Sequence, residues 1–222
     1  MDTEPSSPPS LGDQSNLSNR GVARSMLTGC LGFSVVSVAG FSVWAFGGRW
    51  LHRELMIFAA CTIIFLGLSG LLLFKLLNGQ NRLLRFYKIF LPAFFFYAVA
   101  WSAAWFVLKF GLGEWLGSLL GSIMFVAVAA WGFGTHRSFA KACAVLFICH
   151  SAGYFLGGEF MRSVGQLSKT VELSKSTLTL VGMLGWGAIY GAGFGAGIGC
   201  TFHIFQIDAK VNVKPGLPDP LK

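Results

Sequence analysis

The chain has 222 residues, 54% hydrophobic and 12% charged, with a formal net charge of +8 and a mean hydropathy of +0.65. Soluble domains carry about 25% charged residues, so this composition excludes an ordinary water-soluble domain and makes a lipid bilayer the expected partner. Nucleic acid is not expected, because the basic residues lie between apolar runs, where they orient a membrane protein, and no basic stripe interleaved with aromatics stands on a polar domain.

Residues 1–24 are rich in Ser, Pro, Asn and Asp. They offer too little apolar surface to offset ordering entropy, which predicts a disordered cytoplasmic tail. The apolar run that follows is too long for a signal-peptide core, and no small-residue cleavage site follows it. Six apolar runs come next, at about 25–46, 55–77, 87–108, 115–133, 139–158 and 178–205. Each is near the roughly 20 residues that cross about 30 Å of hydrocarbon. Backbone groups in lipid must pair within their own segment, so the runs read as helices. The fold expected is all-α, a polytopic six-helix membrane bundle over residues 25–206, followed by a cytoplasmic tail, 207–222. Pro92 falls in the first turns of the third run, where it either starts or kinks that helix.

Charge sets the expected orientation. Arg20, Arg24, Lys75, Arg82, Arg85, Lys88, Arg137, Lys141, Lys210, Lys214 and Lys222 fall on one side. Arg49, Arg53, Lys109, Arg162, Lys169 and Lys175 fall on the other. This bias places both termini in the cytoplasm, and a bacterial inner membrane is the expected location. The longest outer connection, 159–177, reads as a short interfacial helix from Leu167, Val171 and Leu173 among charges.

The last run contains "WGAIYGAGFGAGIGCTFHIFQ", residues 186–206. On a helix, residues four apart lie nearly above one another. Gly187, Gly191, Gly195 and Gly199 make one small stripe, and Gly193 and Gly197 lie on another. Trp186, Tyr190, Phe194, Ile198 and Phe202 make the single bulky one. Small stripes let helix backbones approach closely in lipid, so this helix is expected at the centre of the bundle. Leucine at Gly191 or Gly195 should be costly, and Phe194→Leu on the bulky stripe should be milder. The glycines are not a dinucleotide fingerprint, because no strand–turn–helix surrounds them.

The two halves resemble each other weakly: "WAFGGR" (44–49) with "WGFGTHR" (131–137), and "ACTIIFLGLS" (60–69) with "ACAVLFICHS" (142–151). Tyr97, Trp101 and Trp105 form an aromatic stripe like that of the last run. Three helices per unit would make this a 3+3 inverted repeat, a frame that commonly holds a transport site near the midplane.

His150 is the one ionisable side chain read near a midplane, with Ser151 beside it and Tyr154 one turn on. It is therefore the leading ligand-binding candidate, together with Ser151, Tyr154 and Tyr190. A neutral imidazole offers one donor and one acceptor. The donor is expected on a carbonyl of a neighbouring helix, and the acceptor is left for a ligand, Tyr154 or Ser69. His136 and His203 lie too near the helix ends to pair with it around haem, and His52 is on the outer side. Cys30, Cys61, Cys143, Cys149 and Cys200 show no metal-ligand spacing, so no metal and no cofactor is expected. No catalytic motif appears, and Ser151 and His150 point about 100° apart on a helix, so an enzyme is not expected. The reading is a channel-like or permease-like bundle. The alternative is a non-transporting subunit or scaffold, binding other membrane helices or a second copy through its glycine faces.

Overall fold

The computed structural model describes residues 11–47, 54–109, 111–167 and 173–212. Among them the chain forms six α-helices and no strand. These are α1 (Leu11–Gly47), α2 (Glu54–Leu73), α3 (Arg82–Leu108), α4 (Leu112–Phe133), α5 (Phe139–Gln166) and α6 (Lys175–Asn212), with a 3-10 turn, Phe74–Leu76, closing α2. All six contain a stretch long and apolar enough to cross a membrane.

The helices run past the expected boundaries. α1 starts at Leu11, inside the segment read as a disordered tail. Extending an existing helix fixes one residue per added hydrogen bond, without a new nucleation cost, and no proline follows Pro9 there. Residues 1–10 lie outside the described residues. α5 continues to Gln166 and α6 starts at Lys175. The two ends of the 159–177 connection therefore prolong two long helices, while 168–172, which include Val171 of the expected interfacial helix, lie outside the described residues. α6 reaches Asn212, so the start of the expected 207–222 tail is helical, and 213–222 are not described. α3 begins at Arg82 and carries Pro92 in its interior.

α6 is the packing centre: α1 and α5 lie along it, α3 lies along α4, and α2 touches α3 only sparingly. Sequence explains the tight pairs. The first glycine stripe of α6 meets α1. Gly195 lies against Gly29 and Phe33, Gly199 against Ser25, Gly191 against Phe33 and Ser34, and Gly187 against Phe41. The second meets α5, with Gly193 on Cys149 and Gly153, and Gly197 on Leu146. α4 meets α3 in the same way, through Gly117 on Trp101 and Gly121 on Tyr97. In these pairs rising numbers on one helix meet falling numbers on the other, so the neighbours are antiparallel.

With its small faces occupied, α6 turns its bulky stripe into the core. Phe194, Ile198 and Phe202 are fully buried. Phe194 meets Phe33 edge-on at 5.2 Å and Tyr97 at 4.7 Å between centroids. Phe86, Phe90, Phe125 and Phe205 extend this aromatic packing toward the end of the bundle where α6 finishes, here called the proximal end. Such ring pairs contribute about 0.5–1.5 kcal/mol each beyond their area. Phe194→Leu is thus a core change that removes several ring contacts, and the bulky stripe faces the centre of the bundle. The outside is apolar instead: Val107, Trp131 and Ile63 are 78%, 76% and 71% exposed.

Polar contacts fasten the proximal end. Gln206 Nε2 donates to the Leu76 carbonyl at 2.9 Å, and its Oε1 accepts from the Asn78 amide at 2.9 Å. Asp208, also buried, accepts from the Ser138 amide at 3.0 Å at the start of α5. The α2–α3 and α4–α5 turns are thereby both tied to α6.

Candidate functional site

Where α2 stands away from α3, the bundle holds a cavity of about 720 Å³, within the range of small-molecule sites. It lies in the half away from the proximal end. α1 contributes Phe41 and Trp44, and α2 contributes Phe65. α3 supplies Phe94, Tyr97 and Trp101, and the back wall is Tyr154 of α5 with Trp186 and Tyr190 of α6. The described residues lining it are mostly aromatic, and none is charged.

Local sequence explains the convergence. Tyr97 and Trp101 are four apart on α3, and Trp186 and Tyr190 are four apart on α6, so each pair makes one stripe. Gly117 and Gly121 let α4 pack closely on Trp101 and Tyr97. Gly157 likewise receives Trp186. The indole nitrogens of Trp101 and Trp186 are buried and have no hydrogen-bond partner among the described residues. The cavity is therefore lined by ring surfaces more than by indole N–H groups.

His150 sits behind this wall, fully buried. Its Nε2 is 2.6 Å from the Tyr97 hydroxyl, which is 3.1 Å from the Tyr190 hydroxyl. A phenol both donates and accepts, so the three groups form one chain from α5 through α3 to α6. Nδ1 has no partner among the described residues. The expected bonds to a carbonyl, to Tyr154 or to Ser69 are not made. Tyr154 donates to Glu114 Oε1 at 3.1 Å, and Ser69 bonds the Phe65 carbonyl within its own helix. Because Tyr154 is one turn from His150, their rings stack at 6.2 Å while the hydroxyl reaches past to α4. Ser151 is buried, its hydroxyl has no partner among the described residues, and it does not line the described cavity. Of the four expected ligand-binding residues, Tyr154 and Tyr190 line the cavity, and His150 backs it through Tyr97.

The sequence alone does not mark Tyr97, Trp101, Phe41 and Glu114 as site residues. The α3 stripe was visible, but nothing local says that it faces α6. Glu114 reads as a helix-end residue, and it does cap α4: its Oε2 accepts from the Gly111 amide at 3.2 Å. Its other oxygen binds Tyr154, which is distant in sequence. His203 lies 3.5 Å from the Ser25 hydroxyl at the proximal side, and His136 is exposed in a turn; His52 is outside the described residues. Among the described residues, no three His, Cys, Asp or Glu side chains gather as a metal site.

The chain matches no protein-family model, and comparison with curated proteins and with solved structures likewise returned no match.

Proposed function

We propose that this chain is a permease-like membrane protein that takes a small molecule into the aromatic cavity and passes it between the two halves of the bundle. The six helices span the bilayer with both termini cytoplasmic, as the basic bias indicates. Cysteines placed at Gln80 and Gln166, both exposed, should react with an impermeant maleimide from opposite sides of the membrane in an otherwise cysteine-free chain. Gln80 suits this better than Asn81, whose φ is +50°. Labelling of both from one side would overturn the topology.

The supporting observation is the cavity's one-sidedness. It lies in the half away from the proximal end, whereas buried phenylalanines and the Gln206 and Asp208 contacts fill the proximal half, which the basic bias assigns to the cytoplasmic side. A continuous channel would need that packing to be open. The scaffold alternative has less support, because the glycine faces of α6 are already covered by α1 and α5 of the same chain.

The weak likeness of the halves adds a frame. In a 3+3 inverted repeat α2–α3 corresponds to α5–α6. The first pair is parted and the second is packed along its length, and such inequality between equivalent pairs is how an inverted repeat opens to one side at a time. In the opposite state, α5 and α6 would part near Leu146 and Gly197.

Proteoliposomes test this with ethidium, carboxyfluorescein and radiolabelled sucrose. The permease reading expects saturable movement of one dye and none of sucrose. A channel would pass them without saturation, and a scaffold would pass none; either result overturns the proposal.

A further inference from the structure

We infer that the cavity takes an organic cation, a quaternary ammonium, phosphonium or similarly soft charge, held over its aromatic faces and by the Glu114 carboxylate behind Tyr154. The inference rests on the permease-like reading for what happens after binding, but not for binding itself.

Three observations converge on that class. First, the described lining draws aromatic rings from five helices and no charged side chain. The face of an aromatic ring carries negative quadrupolar potential, and cages of such faces recognise quaternary ammonium groups. Second, a carboxylate outside the lining is hydrogen-bonded to one of its rings. Glu114 Oε1 accepts from the Tyr154 hydroxyl at 3.1 Å while its Oε2 caps α4 at Gly111. A half-buried carboxylate thus stands at the back of a lining ring, at the first turn of α4. Third, the α3 stripe already holds a cation in this manner. The Lys109 ammonium lies 5.3 Å from the Trp105 ring centroid and 5.6 Å from that of Phe106. Trp105 in turn stacks on Trp101 of the cavity wall at 6.4 Å. Lys109 is exposed and does not line the cavity.

An anion finds no such match, because no basic side chain lines the described cavity. A purely apolar occupant, such as a lipid chain entering between α2 and α3, would fill the space but would gain nothing from Glu114. A choline headgroup and a free lipophilic cation share the relevant chemistry.

Tetraphenylphosphonium and tetraphenylborate provide the test, since they have nearly the same shape and opposite charge. Each is titrated against the full chain in phosphatidylglycerol nanodiscs, following tryptophan fluorescence and subtracting partition into protein-free discs. The cation should bind at least about tenfold more tightly than the anion, which is about 1.4 kcal/mol or more. Glu114→Gln should weaken the cation several-fold and leave the anion unchanged or tighter. Because Glu114 also caps α4, Tyr154→Phe is a second variant; it keeps the carboxylate and the cap but breaks the link, and should weaken the cation less. Equal binding of the two ions by the wild type, which needs no variant to fold, would overturn the inference. So would cation binding that survives both substitutions unchanged. Repeating the titration in phosphatidylcholine discs distinguishes the sources: competition by the lipid identifies the headgroup as an occupant, and unaltered affinity identifies a free cation. Tight cation binding with no ethidium movement in proteoliposomes would overturn transport while leaving the ligand class standing.

Discussion

Gly195→Leu is expected to destabilise the protein by more than about 3 kcal/mol, at or above the upper end of typical overpacking costs. The reason is backbone proximity. A Cβ at Gly195 would overlap the carbonyl oxygen of Gly29 on α1 and lie 2.6 Å from the Phe33 Cβ. A side-chain tip could swing away, but two helix backbones can only separate. That separation would loosen neighbouring contacts of the same stripe, at Gly191 and Gly199, because all three seat on one helix. Gly158→Ala is the control, since a Cβ there meets nothing within 4 Å. It should be neutral, or stabilising by up to about 1 kcal/mol through helix propensity. Thermal unfolding in detergent, followed by circular dichroism, measures both. Equal melting of Gly195→Leu and wild type would mean that α1 does not lie on this stripe.

His150→Leu is expected to cost about 1–3 kcal/mol, because it strips a buried phenol of one of its two partners. Tyr97 would keep only Tyr190. His150→Gln retains a donor and an acceptor and should recover part of the loss. Tyr97→Phe breaks the same contact from the other side. The two changes should therefore be non-additive, with a coupling of at least about 0.5 kcal/mol in a double-mutant cycle. Strict additivity would show that the 2.6 Å contact carries no coupling. The wall also moves with this network, since Tyr97 and Tyr190 both line the cavity. Cation binding should accordingly fall in His150→Leu and return in His150→Gln.

The sequence by itself determined the helical class, the six apolar segments and the packing character of the last helix. Each depends on local chemistry: hydrocarbon length, backbone pairing within a segment, and side-chain size every fourth residue. His150 was legible as a buried polar group for the same reason, being a titratable residue inside an apolar run. The helix ends were not legible, because Leu11–Arg24 and Glu159–Gln166 look polar, yet continue helices already nucleated in the apolar runs beside them. Only the tertiary structure decided which faces meet. Phe41, Tyr97 and Tyr190 become neighbours because glycine stripes seat α1 and α5 on α6, which leaves the bulky stripe to face α3. The pairing of Glu114 with Tyr154, and of His150 with Tyr97 instead of Tyr154, follows from how α3, α4 and α5 are rotated against each other. Rotation of one helix against another is set by the summed fit of two surfaces, and neither sequence segment carries that information alone.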